Sequence, residues 1–120
     1  MTKARLYALA PLAALGLAAG GGALAHHGWG SYDAAKTLRI TAPVESLQWQ
    51  NPHVHIMIPH EGRTWEAVLA PPFRMNARGL EPEAIKAGTS VTVEGYPSTK
   101  VPTELRAERI IVGGKTFELR

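Results

Sequence analysis

Cysteine is absent from all 120 positions of the chain. Without thiols there can be no disulfide bond and no thiolate metal site. A bound metal ion would therefore depend on histidine, methionine, carboxylate or backbone ligands. All five histidines lie between positions 26 and 60, which restricts where such a site could form.

Familiar catalytic motifs are also absent from the sequence. No serine stands in a nucleophile elbow, and there is neither a His-Glu-x-x-His zinc motif nor a phosphate-binding loop. The ten acidic residues are scattered along the chain and suggest no general acid–base pair. We therefore expect that the protein is not an enzyme.

Residues 1–25 have the pattern of a secretory signal peptide. A short basic segment precedes a stretch rich in leucine and alanine, and Ala-Leu-Ala at positions 23–25 matches a small-x-small cleavage site. A proline and three consecutive glycines interrupt this stretch, whereas a membrane-spanning helix needs about 20 apolar residues. We predict that the mature protein starts at His26, is periplasmic or secreted, and makes no membrane contact.

Removal of the signal would leave the chain almost neutral. Lys3 and Arg5 are two of the 13 basic residues, so 11 remain beside 10 acidic residues. The remaining sequence has no basic cluster that could hold a phosphate backbone. We therefore expect no nucleic-acid partner.

The mature sequence divides into an irregular arm, residues 26–36, and a β-rich domain, residues 37–120. Apolar residues alternate with other residues from position 38 to 44, and the alternation resumes out of phase at Leu47 and Trp49. This pattern predicts a long first strand with a bulge that keeps both sets of side chains, including Trp49, in the core.

Short strands and turns account for the rest of the domain. A proline near its start and a glycine after its end mark residues 81–87 as a short helix, and one helical turn is expected within 73–79. Period-2 patterns and turn residues predict further strands at 53–58, 63–69, 89–95, 104–112 and 115–119.

Three strands, a helix and then two or three strands is the element order of the OB-fold. We predict an all-β domain with one short helix, folded as a small OB-like, partly open barrel of five to six strands. A β-sandwich fragment is the alternative, but it does not explain the helix between the third and fourth strands.

Several short motifs carry a family resemblance that covers essentially the whole mature chain. They are His26-His27, Tyr32-Asp33, Trp49-x-Asn51-Pro52-His53, the Glu66 strand followed by Pro71, and Val91-Thr92-Val93-Glu94-Gly95-Tyr96. Together they resemble a family of short bacterial exported proteins that is classed as a domain of unknown function. Gly79-Leu80 and Ala87-Gly88-Thr89 depart from that family's pattern, around the helix rather than at the histidines. The resemblance implies export and a small β domain, and it implies no activity.

A mature N-terminus at His26 would combine a free α-amine and an imidazole on one residue. These two nitrogens can chelate one metal ion, and His27 could add a third nitrogen. Nitrogen ligands suit copper, nickel and zinc, and Cu(II) is bound most tightly in the usual order of affinities. The alternative is that both histidines are merely tolerated in a mobile terminus.

The second predicted strand carries further candidate ligands. Its side chains alternate, so His53, His55 and Met57 share one face, about 7 Å apart per step, while Val54 and Ile56 face the core. We expect Val91 and Val93 to be buried with these apolar side chains. The alternative places His53 in a structural hydrogen bond at the Asn-Pro turn, and leaves His55 and Met57 as ordinary half-exposed strand residues.

The sequence thus favours an exported, non-enzymatic metal-binding module with copper as the preferred ion. The candidate ligands are His26, His27, His53, His55 and Met57. The competing hypothesis is a periplasmic interaction module that binds a peptide, glycan or protein on its barrel face and uses the histidines structurally.

Overall fold

The structure, a computed structural model, describes residues 28–120. The predicted signal peptide and the candidate ligands His26 and His27 lie outside the described residues. The described part is mostly β, with one short α-helix, as the sequence predicts. The strands are β1 (Leu38–Pro43), β2 (Ser46–Gln48), β3 (His55–His60), β4 (Arg63–Val68), β5 (Ser90–Pro97), β6 (Glu104–Val112) and β7 (Lys115–Glu118).

These strands form one mixed sheet of seven strands in the order β1-β5-β6-β4-β3-β2, with β7 paired to β6. Every pairing is antiparallel except β4 with β6, which is parallel. Within residues 28–120, β1 and β2 lie at the two ends of this order, so the sheet is not closed into a barrel.

The predicted first strand is interrupted at Val44 and Glu45, close to the expected bulge. The Val44 amide donates to the Thr89 carbonyl oxygen beside β5, whereas the Glu45 amide donates to the Met57 carbonyl oxygen on β3. The amides of two consecutive residues therefore bond to different strands, one beside β5 and the other on β3, which lie far apart in the strand order. The predicted barrel of five to six strands is corrected to a seven-stranded mixed sheet that is not closed, because no ladder pairs β1 with β2.

The helix is also placed differently from the prediction. The α-helix α1 spans Pro72–Ala77, where the sequence predicts a single turn, and residues 81–87 contain only a 3-10 turn at Pro82–Ile85. The backbone is extended on both sides of this turn, at Glu81 (ψ 161°) and Lys86 (ψ 163°), so the segment does not continue as a longer helix. No helix within residues 28–120 is long and apolar enough to cross a membrane.

The predicted strand register is confirmed. Val54, Ile56, Val91 and Val93 are all buried in one apolar core. His53 and His55 alternate with these core residues and are only half-buried. A slip of one residue would have exchanged the two sets of side chains, so the period-2 pattern determines which side of β3 carries the histidines.

Candidate functional site

His55, on β3, and His53, two residues before it, lie on a polar face that β3 shares with its neighbours β4 and β6. In the parallel ladder, Glu66 lies beside Glu104 and Val68 beside Arg106. The alternate residues of the same strands, including Ala67 and Leu105, are buried in the core. Since side chains alternate across a sheet, the pattern places Glu66, Glu104 and Arg106 on the face opposite the core.

An N-terminal segment, residues 29–33, runs along this face and is held by its backbone. The Asp33 amide donates to the Pro97 carbonyl oxygen, and the Thr99 amide donates to the Ser31 carbonyl oxygen, both at 2.9 Å. Between them Tyr32 forms an isolated antiparallel bridge with Ser98. These bonds fix the direction in which the chain approaches the polar face.

The side chain of Tyr32 joins this segment to β6. Its hydroxyl donates a hydrogen bond to Glu104 Oε2 at 2.6 Å, and the residue is only 8% exposed. Burial raises the pKa of the Tyr32 hydroxyl well above its usual value, and the bond to Glu104 and the negative charge of that carboxylate add to the effect. Tyr32 therefore stays neutral and acts as a fixed donor to Glu104.

A pocket of about 280 Å³ opens between the N-terminal segment, the 98–101 loop and the polar face. Both histidines of the predicted second strand line it, together with the Tyr32–Glu104 pair and Arg106. Lys100 and Val101 complete its rim on the loop side. The pocket thus brings imidazole nitrogens, a carboxylate and a guanidinium into one small space.

His55 is paired with a carboxylate on the neighbouring strand. Its Nδ1 atom lies 2.6 Å from Glu66 Oε2. In a neutral imidazole this contact puts the proton on Nδ1, because a carboxylate can only accept. The tautomer leaves a lone pair on Nε2, which is the arrangement that supporting carboxylates give to metal-binding histidines.

His53 is held differently, by a buried arginine. Arg106 Nη2 lies 3.3 Å from His53 Nε2, so the guanidinium donates to that ring nitrogen. Arg106 is only 6% exposed, and burial lowers its pKa. The same guanidinium lies over the Trp29 ring, with Cζ 4.4 Å from the ring centroid. Arg106 therefore links the N-terminal segment to His53.

The structure brings together only part of the predicted ligand set. His53 and His55 line the pocket, whereas Met57, half-buried on β3, is not among its lining residues. Among residues 28–120, no three histidine or acidic side chains are placed to hold a metal ion together. A metal site here would need ligands from outside the described part of the chain.

Sequence reasoning missed four residues of the site, namely Tyr32, Glu66, Glu104 and Arg106. The alternation in β4 and β6 contained a signal for three of them. Glu66 precedes the buried Ala67, and Glu104 and Arg106 flank the buried Leu105, so all three occupy the face opposite the core. The sequence could not show that β4 and β6 are adjacent in the sheet, because these two strands pair in parallel and are far apart along the chain.

Comparisons with known proteins identify a family and a fold but no activity. No curated protein matches the chain significantly. A solved structure that matches is the crystal structure of a complex of TiaS with an isoleucine tRNA and ATP, with a TM-score of 0.50 and 15% identity. The match covers 74% of this chain but only 20% of that one, and at this identity it shows a likeness of fold alone. The profile of a family of unknown function, DUF6152, matches residues 14–104. The chain therefore belongs to this family of unknown function, DUF6152, which confirms the expected membership of a family without an assigned function.

Proposed function

We propose that the protein is an exported, non-enzymatic metal-binding module, with copper as the favoured ion. The α-amine and imidazole of a mature N-terminal His26 would supply the first chelate, and His27 a further nitrogen. His55, on the wall of the pocket, would add a ligand from the folded domain. The observation that carries this proposal is the 2.6 Å contact between His55 Nδ1 and Glu66 Oε2.

That contact supports a ligand role because of the tautomer it selects. A histidine that donates Nδ1–H to a carboxylate keeps Nε2 available as a more basic ligand. A merely solvated strand histidine would not need a carboxylate at this distance on the neighbouring strand. The half-buried position of His55 in the pocket also limits competition from water.

Only a short stretch of chain separates Trp29 from the other proposed ligands, His26 and His27. Trp29 already contacts Arg106, which bonds to His53. Consecutive Cα atoms are about 3.8 Å apart, so His27 begins within about 8 Å of Trp29 and His26 within about 11 Å. This short connection is the support for a proposed site that His26 and His27 share with His55.

The available donors favour Cu(II) over other ions. They are nitrogen atoms, for which the divalent first-row metals follow an order that peaks at copper. Met57, the soft thioether that would suit Cu(I), is not among the residues lining the pocket. Zinc would require a carboxylate or water to complete a tetrahedral site.

The finer fold prediction, an OB-like arrangement, also fits this proposal. If β1 and β2 are counted as one bent strand, α1 follows the third strand, which is the OB order of elements. OB-folds commonly bind their ligands on one sheet face and its adjoining loops. The pocket lies on such a face, beside the 98–101 loop.

The proposal is tested by Cu(II) titration of two proteins that differ by one residue. One begins at His26 and the other carries an extra N-terminal alanine, which separates the α-amine from the imidazole and leaves the strands unchanged. We expect tighter Cu(II) binding by the protein that begins at His26. Binding should also weaken on acidification, because protons compete for both nitrogens.

Two further variants test whether His55 is a metal ligand while His60 is not. His55→Ala should weaken Cu(II) binding in the protein that begins at His26, while His60→Ala, at the β3–β4 turn, serves as the matched control. Equal affinity of the native and alanine-extended termini would contradict the proposal. That result, or an exported form whose intact mass shows a start before His26, would favour the interaction module that binds a peptide, glycan or protein.

A further inference from the structure

We infer that the pocket binds a small hydroxycarboxylate, an organic acid of a few carbon atoms that also carries a hydroxyl group. This ligand needs no metal ion and would contact only described residues, so the site goes beyond the proposed function. The pocket volume of about 280 Å³ lies just below the range of roughly 300–1,000 Å³ that is usual for small-molecule sites. The space therefore suits a small acid rather than a large cofactor.

The charged side chains that line the pocket favour an anion. They are two cations, Lys100 and Arg106, and one carboxylate, Glu104. Apart from the histidines, the lining thus carries one more positive than negative charge. Arg106 is only 6% exposed, so its charge acts where water screens it weakly. A ligand with a single negative charge would balance this excess.

The 98–101 loop supplies hydrogen-bond donors for the carboxylate of the ligand. Within residues 28–120, Lys100 takes part in no salt bridge. Ser98 Oγ accepts hydrogen bonds from the backbone amides of Lys100 and Val101, at 3.1 and 3.0 Å. These two bonds use both acceptor positions of the hydroxyl, which is therefore left to donate its own proton. One short loop of the pocket wall thus offers an ammonium group and a hydroxyl donor.

Backbone hydrogen bonds hold this loop on both sides of the pocket. The Ser98 amide donates to the Glu104 carbonyl oxygen on β6, and the Thr99 amide donates to the Ser31 carbonyl oxygen of the N-terminal segment, both at 2.9 Å. The Thr99 hydroxyl donates to the same Ser31 oxygen at 3.1 Å. A loop that is already held loses less freedom when a ligand binds, so more of the contact energy remains as affinity.

The sheet face of the pocket offers acceptors, which call for a hydroxyl group on the ligand. A neutral His55 that donates from Nδ1 to Glu66 has a lone pair on Nε2. Glu104 receives the Tyr32 hydroxyl on Oε2, and a carboxylate has a second oxygen that can accept. Neither group can donate to a second carboxylate, but both can accept from a hydroxyl. The pocket thus pairs donors on its loop with acceptors on its sheet.

Apolar side chains in the wall favour an organic acid over an inorganic anion. Pro52, Val68 and Val101 line the pocket together with the polar groups. Val101 is 48% exposed, and within residues 28–120 it is one of two large apolar side chains with such exposure. The carbon atoms of a bound acid would cover part of this surface, which is favourable because it removes apolar area from water. Phosphate has no apolar part that could do so.

The test titrates L-lactate into the protein that begins at His26, freed of metal on a chelating resin and kept in buffer without carboxylates or phosphate. Calorimetry should show saturable binding, and the amide NMR signals of His55, Lys100 and Val101 should shift most. Lactamide, the uncharged amide of similar size, should bind at least about tenfold more weakly, because it lacks the charge that Lys100 contacts. Absence of saturable binding, or equal affinity for lactate and either lactamide or inorganic phosphate, would overturn the inference.

Variants of the loop locate the bound carboxylate. Lys100→Ala should weaken lactate binding by about tenfold, and Lys100→Arg should restore most of it. Lys86→Ala is the matched control, because this exposed lysine pairs with Glu83 and does not line the pocket. Val101→Glu places a negative charge at the exposed rim and should abolish binding without loss of stability in urea. Equal affinities of Lys100→Ala and Lys86→Ala would contradict a carboxylate site on this loop.

Propionate, which lacks only the hydroxyl group of lactate, tests the acceptor side. The wild-type protein should bind lactate more tightly than propionate, and His55→Ala should lose this preference while still binding both acids. Equal affinity of the wild-type protein for the two acids would overturn the assignment of a hydroxycarboxylate.

The alanine-extended protein separates failure of this site from failure of the proposed function. Its lactate affinity should equal that of the protein that begins at His26, because no contact of the acid involves the N-terminal amine. A loss of lactate binding on extension would overturn the inference. Equal Cu(II) affinity of the two proteins overturns only the copper site, whatever the lactate titration shows.

Discussion

Gly95 on β5 lies directly against the backbone of Ala107 on β6. A Cβ atom built on Gly95 would lie 2.8 Å from Ala107 Cα and would collide with the carbonyl oxygen of Arg106. The β5–β6 register shifts between Glu94 and Gly95, so the close approach coincides with a bulge. The absence of a side chain at Gly95 thus allows the backbone of the buried Arg106 to lie where it does.

Gly95→Ala should therefore destabilise the fold. Both clashing atoms belong to the backbone, so relief requires the two strands to separate, and we expect a loss of about 1–3 kcal/mol in the free energy of unfolding, as for overpacked cores. Urea denaturation measures this loss. Gly30→Ala is the control, because nothing lies within 4 Å of a Cβ at that position. Equal stability of the two variants would contradict the close approach.

The alternating residues 53–58, which run from just before β3 into that strand, show how far sequence reasoning can go. A period of two alone places Val54 and Ile56 in the core, and His53 and His55 on the opposite face. The structure agrees, because a half-buried strand has only two faces and three β-branched residues occupy one of them. Local chemistry is therefore sufficient to identify the two described histidines of the site.

The remaining parts of the site depend on contacts that no local pattern encodes. Trp29 meets Arg106 and Arg120, which are more than 75 positions away in the sequence. Glu66 lies beside Glu104 through the parallel β4–β6 pairing. The interruption between β1 and β2 likewise depends on distant partners, because the Val44 amide bonds to Thr89 and the Glu45 amide bonds to Met57.

Trp49→Ala should be less harmful than the replacement of a fully buried tryptophan. The alternation in the sequence predicts an inward ring filling a barrel end, with a loss of about 3–5 kcal/mol on truncation. Trp49 instead packs against the core while remaining partly exposed. We expect a loss of about 1–3 kcal/mol in the free energy of unfolding, measured by urea denaturation. A loss below about 0.5 kcal/mol, typical of surface positions, would show that the ring does not contribute to the core.

The stability of the protein should fall in alkali because of Tyr32. Burial raises the pKa of its hydroxyl in the folded protein above the ordinary value of 10.0. Above about pH 10 the unfolded chain ionises this tyrosine while the folded chain does not, so stability present below that pH is lost as pH rises toward the folded pKa. Unfolding measured between about pH 8 and 11 should show this decline in the wild-type protein.

Tyr32→Phe should make the alkaline decline shallower, since phenylalanine has no proton to lose. Tyr96→Phe provides a comparison, because a hydrogen bond to Glu108 raises the pKa of Tyr96 as well. At neutral pH, Tyr32→Phe should also cost about 1.5–3 kcal/mol in the free energy of unfolding, because the lost bond goes to the Glu104 carboxylate. Identical pH dependence of wild type and Tyr32→Phe would mean that Tyr32 ionises freely in the folded protein.

Glu66→Gln tests whether the Glu66 carboxylate strengthens metal binding by His55 or only helps to hold the structure. The amide oxygen of glutamine can still accept the proton of His55 Nδ1, so the geometry and the fold should persist. Its lack of charge makes the His55 Nε2 atom a less basic ligand, and we expect Cu(II) binding to weaken by about tenfold. Glu83→Gln, an exposed change of the same charge, should leave the affinity unaltered. Competition titrations against a chelator of known affinity measure both variants, and their equality would remove the Glu66–His55 pair from the copper site.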